Sequence, residues 1–541
     1  MGQEASSAPD RVGGLPYNDE FDDPVASVNV FVHEKNGTPV MGLTREDFSV
    51  SEDDVQRPIV DFEAVSPAPV HPGLTPDNPT TATQHPVYLV FFVDNQFLRH
   101  TDRNRVLRAI QTSLQTGVDD NVRMMVVSHS DEIKVLQPFT DDVGAIIEAL
   151  RAIRVTDTRL ETRDEMHDRI QQKIRRAAKN RHHSYRSQQQ ELSEVYSAIR
   201  DFIVEEDVML AESLTALRQV FMALTGIGGR RYVVHVSNGM PFAIGADLLH
   251  QYAGIFGTTS GAATTSTYSQ KRRFDALIGA ANAQGITVHA IDATGTDRPE
   301  AQIGDSDSRH ATLAGVLARE TFQRSLRYLA ERTGGMTVIN EDDFVGEIHR
   351  MKATLSTFYK IIFELPSGGL DTVHQIEVHL SQDKELELSY SRTFVNKSPE
   401  SRIQDLVTSG LFFDVSKNPL EIRVATGQPI QATADRWQLP IEVSIPVTSL
   451  ALTRQGDEYV GKAMHFVALM NIDGKTTDMQ RQTHTFRIPV AEYETKKDES
   501  FPIFMRLLLD EGQHRIVTAV HDVTTRQTSI QKFTVGDAGP S

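Results

Sequence analysis

At roughly 150 residues per domain, 541 residues suggest three or four domains, and 39% hydrophobic with 24% charged residues describes a globular chain. Lys plus Arg at 55 against Asp plus Glu at 73 gives 55 − 73 = −18, a balance that repels a phosphate backbone and argues against nucleic-acid partners. The chain has no cysteine, which removes disulfides, thiolate metal sites and a cysteine nucleophile together, and no apolar run approaches the ~20 residues of a transmembrane helix.

Residues 1–25 are rich in Gly, Pro, Ser and Asp and close on Asp19-Glu20-Phe21-Asp22-Asp23, which predicts a disordered tail. The segment Gln3-Glu4-Ala5-Ser6-Ser7 has neither the basic nor the apolar region of a signal peptide and resembles the start of a mature exported chain. Gly2 fits a loose myristoylation pattern, which Glu4 and the acidic flank oppose.

From Val25 the alternation of Val28, Val30 and Val32, a turn at Asn36-Gly37, and apolar runs at 48–50 and 59–62 predict three strands, too few to close a sandwich. Six prolines between 66 and 86 mark a boundary. Residues 87–93 are continuously apolar, as a strand buried on both faces must be, and the run ends at Asp94.

Strand and helix then alternate. Val106, Leu107, Ile110 and Leu114 stripe one helix, 122–127 is a strand, and Val143, Ile146, Ile147 and Leu150 stripe another helix. Leu210, Leu214, Leu217, Phe221 and Leu224 stripe a third helix before strands at 232–236 and 286–291. A helix carrying Leu326 and Leu329, an edge strand at 337–339 and a helix striped by Phe344, Ile348, Met351 and Leu355 complete the pattern of a doubly wound parallel sheet.

The polar stretch 156–206 interrupts this order. Met166, Ile170 and Ile174, then Leu192, Val195, Ile199 and Phe202, predict an antiparallel helical hairpin. Its tip, with Lys179, Arg181, His182, His183 and Arg186, is basic on an acidic protein, either as a solvated turn or as a docking knob for an acidic partner. The small polar run 257–267 reads as a loop, and Asp305-Ser306-Asp307-Ser308 as a solvated turn lacking the glycine and distal glutamate of a calcium loop.

Strand signals return at 358–364, 374–380, 386–390 and 393–395, with a turn at Ser367-Gly368-Gly369. Added to the three strands before residue 66 they make about seven, so 26–66 plus 357–397 form one immunoglobulin-like β-sandwich interrupted by the α/β domain 84–356. A linker helix at 398–412 leads into a C-terminal β-sandwich over 413–536, with Trp437 as a core anchor.

The string Gly37-Thr38-Pro39-Val40, Gly42-Leu43-Thr44, Asp47-Phe48, Val50 and Glu52-Asp53 resembles the leading signature of the bacterial VWFA-related family, exported proteins built around a von Willebrand factor type A domain. Phe92-Val93-Asp94, Val236-Ser237-Asn238-Gly239 and Ala330-Glu331-Arg332-Thr333-Gly334-Gly335 extend the resemblance to about residue 397. It implies a doubly wound type A domain with a metal-ion-dependent adhesion site at the carboxyl ends of the strands.

A hard divalent ion at such a site takes oxygen ligands from an Asp-x-Ser-x-Ser turn, a threonine and a further aspartate. Here Asp94 holds the first position, Gln96 and Leu98 stand in place of the serines, and Asn238 replaces the later aspartate. The hairpin displaces the threonine loop and leaves Thr156 and Thr158 as stand-ins. The site is therefore expected to be degenerate: at most weak Mg2+ or Ca2+ binding at Asp94, no cofactor, and Asp94 capping the next helix or bonding the Asn238 loop.

No His-Glu-x-x-His, Gly-x-Ser-x-Gly or Walker lysine loop is present, and the 19 histidines form no cluster in the sequence. The expectation is a non-enzymatic exported adhesion or scaffold protein with protein partners. Its rivals are a self-assembling homo-oligomeric subunit and a divalent-cation-dependent adhesin.

Overall fold

The computed structural model describes residues 11–16, 25–34, 38–65, 86–179, 185–256, 270–296, 306–365, 369–381, 386–413, 416–433, 436–471 and 476–536. The proline-rich boundary 66–85, the loop 257–267, and the turn residues Asn36, Gly37, Ser367 and Gly368 lie outside them.

Strand β1 (Arg11–Val12) is followed by β2 (Val25–Glu34), β3 (Phe48–Glu52), β4 (Val55–Arg57) and β5 (Ile59–Val65). The α/β unit runs through β6 (Val87–Asp94), α1 (His100–Gln115), β7 (Val122–His129), β8 (Ile133–Thr140) and α2 (Val143–Ile153). It continues with α3 (Leu160–Lys179), α4 (Tyr185–Ala223), β9 (Arg230–Ser237), α5 (Ala246–Phe256) and α6 (Lys271–Ala283). It closes with β10 (Ile286–Asp292), α7 (Ser306–Thr333), β11 (Thr337–Val338) and α8 (Phe344–Ser356).

Next come β12 (Phe358–Glu364), β13 (Val373–Leu380), β14 (Leu386–Ser389), β15 (Thr393–Val395) and α9 (Pro399–Phe412). The last region holds β16 (Arg423–Thr426), β17 (Ile430–Thr433), β18 (Arg436–Pro446), β19 (Leu452–Gln455) and β20 (Glu458–Asn471). It ends with β21 (Gln480–Pro489), β22 (Ser500–Asp510), β23 (His514–Asp522) and β24 (Thr528–Val535).

The central sheet has the order β11-β10-β9-β6-β7-β8, parallel except for β8, which runs antiparallel to β7. Because side chains alternate along a strand, β6 feeds two cores. Val90 and Phe92 pack with Leu210, Leu214, Leu217 and Phe221 of α4, whereas Leu89, Phe91 and Val93 pack with Val106, Leu107 and Ile110 of α1 and with Phe344, Ile348 and Met351 of α8. Complete burial of one such side chain stabilises the fold by about 1.5–3 kcal/mol.

Two four-stranded antiparallel sheets, β14-β2-β12-β5 and β15-β13-β3-β4, enclose a common core of Val30, Phe48, Val50, Tyr359, Ile361 and Val378. Residues from before and after the α/β unit therefore meet in one sandwich. Tyr359 ties them further: its hydroxyl donates to the Val40 carbonyl and accepts the Leu43 amide.

In the last region, β1-β19-β20-β23-β24 with β21 on β20 faces β16-β18-β17 with β22 on β18. Helix α9 starts at the cap Ser398, whose Oγ accepts the Ser401 amide at 3.1 Å, with Pro399 in its first turn. It lays Ile403, Val407 and Leu411 on Phe466, Val517 and Ala519 of the β20/β23 sheet. Its other side meets the end of α4, where a Cβ on Gly226 would come within 2.6 Å of the Leu406 backbone.

Four expectations are corrected. The tail is ordered in part: Arg11 and Val12 pair with Thr453 and Leu452, and Val12 and Leu15 pack on the C-terminal core. The second hairpin helix and the following helix are one 39-residue helix, α4, which continues through the charged Glu205, Glu206 and Asp207. Ser306 to Ser308 open the 28-residue α7 and do not form a turn. Trp437 sits half-buried at the rim of the C-terminal core, so it is not the central anchor.

Candidate functional site: the carboxyl pole of the parallel sheet

Asp94, His129 and Ser237 stand at the carboxyl ends of β6, β7 and β9, and Asp292 ends β10. Parallel register sets Asp94 against His129 and Phe92 against His235. Asp94, His129 and His235 thereby come together on the sheet face that α4 covers. All three are buried, at 0%, 3% and 0% exposure, which no solvated ion-gripping crevice would require.

Oδ1 of Asp94 accepts from the Gln96 amide at 3.2 Å, from Ser213 Oγ of α4 at 3.1 Å and from His129 Nδ1 at 3.2 Å. The first of these caps the short 3₁₀ turn Asn95–Phe97, whereas the sequence alone suggests a cap on the next helix, whose cap position is Arg99, or a bond to the Asn238 loop. Oδ2 has no hydrogen-bond partner among the described residues, and His235 Nε2 stands 3.8 Å away. Burial pushes the Asp94 carboxyl up, but the His129 hydrogen bond and the electrostatic pull of the His129 and His235 rings outweigh it and hold the pKa at about 2.

The other positions that the sequence resemblance singles out are turned inward. Gln96 is buried, with Nε2 donating to Glu212 Oε2 of α4 at 2.6 Å and Oε1 accepting from Arg159 at 3.4 Å. Leu98 is 0% exposed and belongs to the core on the opposite face of the sheet. Asn238 accepts the Arg99 amide at 2.9 Å and donates to Asp102 Oδ2 at 2.8 Å and Thr294 Oγ1 at 2.7 Å, so it knits three loops to one another. Gly239 follows at φ +93, where a Cβ would come within 2.5 Å of the Phe322 carbonyl oxygen.

Thr156 and Thr158 do not reach Asp94. Thr156 Oγ1 donates to the Ile153 carbonyl at 2.8 Å and accepts from Arg103, and Thr158 donates to Glu161. Arg103 is wholly buried and also donates to Asn95 Oδ1 at 2.9 Å and to the Thr156 carbonyl at 2.9 Å; burial lowers its pKa to about 10. At Asp292 burial raises the carboxyl, and its oxygens accept from the Thr294 amide at 3.0 Å and Gln323 Nε2 at 2.9 Å.

The hairpin closes over this pole. Arg163 of α3 pairs with the buried Glu206 of α4 and lies over the rings of Phe202 and Phe322 at 5.0 and 5.1 Å, while Glu206 also accepts the Gly245 amide at 3.0 Å. At the hairpin tip only Lys179, exposed at the end of α3, is described in full. Arg181, His182 and His183 lie outside the described residues, as does the Arg186 side chain. Sequence reasoning missed His129, His235 and Ser213 as partners of Asp94, because cross-strand register and helix placement leave no local spacing to find.

No family model matches the chain, and no curated protein does. Among solved structures it is similar to an aerotolerance-related membrane protein from Bacteroides fragilis, at 14% identity and TM-score 0.24, over 50% of this chain and 98% of that one. The conserved hypothetical protein BatB from Bacteroides thetaiotaomicron matches at 11% identity and TM-score 0.23, over 49% and 96% of the two chains. Proximal thread matrix protein 1 from the mussel byssus matches at 8% identity and TM-score 0.24, over 51% and 47%. Among the described residues no helix is long and apolar enough to cross a membrane.

Proposed function

We propose that the protein is a non-enzymatic, exported binding or scaffold protein whose α/β unit is a von Willebrand factor type A domain with a degenerate adhesion site. The strand order and the sequence signature support the type A assignment. The observation that carries the functional reading is Asp94: fully buried, its Oδ1 filled by Gln96, Ser213 and His129, with the serine positions held by an inward glutamine and a core leucine. An ion that takes six or more oxygens and gives up its water reluctantly finds one free carboxylate oxygen there. Contact surfaces are then left to do the work.

A second reading, self-assembly, is favoured by β22. This 11-residue strand pairs with β18 on one side and with no other strand among the described residues. Its outer face carries Phe504 and Leu508 at 68% and 42% exposure, beside a groove of about 540 Å³ lined by Gly427, Pro440 and Arg506. Long apolar edges are templates for strand addition.

Thermal unfolding of the full chain with and without millimolar Mg2+ or Mn2+ tests the degenerate site. The reading expects no cation-dependent rise in the α/β transition. A rise that Asp94→Ala removes would overturn it in favour of a divalent-cation-dependent adhesin.

A further inference from the structure

Glu52 ends β3, and Asp53 and Asp54 make the two-residue turn into β4 with φ of +47 and +66. Strand β13 lies beside β3, with Ile376 opposite Glu52. The Asp53 amide donates to the Gln375 carbonyl at 3.1 Å, and Asp53 Oδ1 accepts the Gln375 amide at 2.9 Å. These backbone ties bring His374 of β13 against both carboxylates, across the seam where chain from before and after the α/β unit meets.

Donor atoms of Glu52, Asp53 and His374 all lie within 4.8 Å of one another. His374 Nδ1 is 2.9 Å from Asp53 Oδ2 and 3.0 Å from Glu52 Oε1. Donors held about 2.1 Å from one ion stand about 3 Å apart at right angles and about 3.4 Å apart at the tetrahedral angle, so the two His374 separations suit an octahedral edge and open by a few tenths of an ångström around a tetrahedral ion.

The tautomer points the same way. His374 Nε2 contacts the Gly369 carbonyl oxygen at 3.1 Å and Thr372 Oγ1 at 2.9 Å. A carbonyl only accepts, so Nε2 carries a ring proton, and Nδ1 faces two anionic oxygens. That arrangement requires a positive charge between them, either a second proton or a cation. A second ring proton would bond Asp53 at 2.9 Å with Glu52 Oε1 beside it at 3.0 Å, whereas a cation would be coordinated by both carboxylates.

Glu52 supplies an independent sign. The residue is 1% exposed, Arg57 Nε donates to its Oε2 at 2.7 Å, and its Oε1 has no hydrogen-bond partner among the described residues although it faces the cluster. Phe394 stacks on the His374 ring with centroids 5.2 Å apart and steadies it. Asp53 is 52% exposed, which gives an ion a way in from solvent.

We infer that Glu52 Oε1, Asp53 Oδ2 and His374 Nδ1 form a binding site for a borderline divalent transition-metal ion of the zinc type, with water completing the coordination. An imidazole nitrogen among the ligands favours zinc, cobalt or nickel over magnesium or calcium. Bound there, the ion joins the β3–β4 turn to β13 and so clamps the two chain segments of the sandwich. This site is remote from Asp94, and its test does not depend on how the pole of the α/β sheet behaves.

The experiment is calorimetric titration of the chelator-treated full chain with zinc chloride, in parallel with Asp53→Asn and His374→Gln, each checked by circular dichroism for native folding. The wild type is expected to take up one equivalent at this site, and each variant, having lost a direct ligand, to bind it at least as weakly as the loss of an outer-shell partner would cause, about 10–100-fold or more. Asp53→Asn retains the Oδ1 acceptor for Gln375 and sits in an exposed turn, so it keeps the test open should His374→Gln fold poorly. Absence of zinc uptake by the wild type, or uptake unchanged in a folded Asp53→Asn chain, would overturn the inference.

Discussion

Replacing Leu98 by serine introduces, in composition, the second hydroxyl of the Asp-x-Ser-x-Ser turn that the sequence resemblance implies. The structure expects this change to damage the fold without building a site. Leu98 is 0% exposed in the same core as Val93, Leu107 and Val236, on the sheet face opposite Asp94. Truncating a fully buried leucine loses about 2–5 kcal/mol through transfer and cavity terms, and the serine hydroxyl would be buried among apolar neighbours. We expect a loss of about 4 kcal/mol, which at about 2–4 °C per kcal/mol for a unit of this size lowers its midpoint by about 8–16 °C. Scanning calorimetry of both chains, with and without Mg2+, reads this directly. A Leu98→Ser chain as stable as the wild type, or one that gains a magnesium-dependent rise, would refute the reasoning.

Because the Asp94 pKa falls from 3.8 to about 2 on folding, its ionisation contributes about 2 kcal/mol that is present above pH 3.8 and is lost as pH falls through about 2. The wild-type advantage over Asp94→Asn in urea unfolding should therefore narrow over that window, and a gap constant with pH would contradict it. Ser409 Oγ donates to the Ala223 carbonyl and accepts the Gly226 amide at 3.1 Å, so Ser409→Ala should cost about 1–3 kcal/mol and raise hydrogen exchange at the α4–α9 junction. Phe504→Lys with Leu508→Lys on the outer face of β22 should leave stability within about 0.5 kcal/mol. In light scattering after size-exclusion chromatography, this pair should abolish any concentration-dependent dimer of the wild type.

What the sequence discloses and what it conceals follow from locality. Strand β6 is legible because burial on both faces demands an unbroken apolar run, and the run stops where Asp94 begins. The stripes of α1, α2 and α8 are legible for the matching reason at helical period. Helix α4 reads as two helices because Glu205, Glu206 and Asp207 look like solvent-facing punctuation. In the fold Glu206 is 1% exposed and is satisfied by Arg163 and the Gly245 amide, partners that are distant in sequence.

Strand β8 escapes because an edge strand with Val135 and Leu136 exposed has no pattern of burial to reveal it. Two-residue β1 is shorter than any period. At the pole, Asp94, Gln96, Leu98 and Asn238 are found by resemblance, and their positions along the chain say which oxygens are missing. The use of the remaining polar atoms depends on parallel register, which brings His129 and His235 to Asp94, and on α4, which delivers Ser213. Glu52, Asp53 and His374 are hidden in the same way, by a sequence separation of 321 between Asp53 and its histidine.

The central claim is that the pole of the parallel sheet is occupied by the protein's own side chains. Crystals of the full chain soaked in manganese chloride and measured for anomalous scattering test it most directly. The account predicts no anomalous peak within coordination distance of Asp94 and a carboxylate still bonded to Gln96, Ser213 and His129. An ordered manganese on Asp94 Oδ2, with Ser213 or His129 displaced, would contradict it.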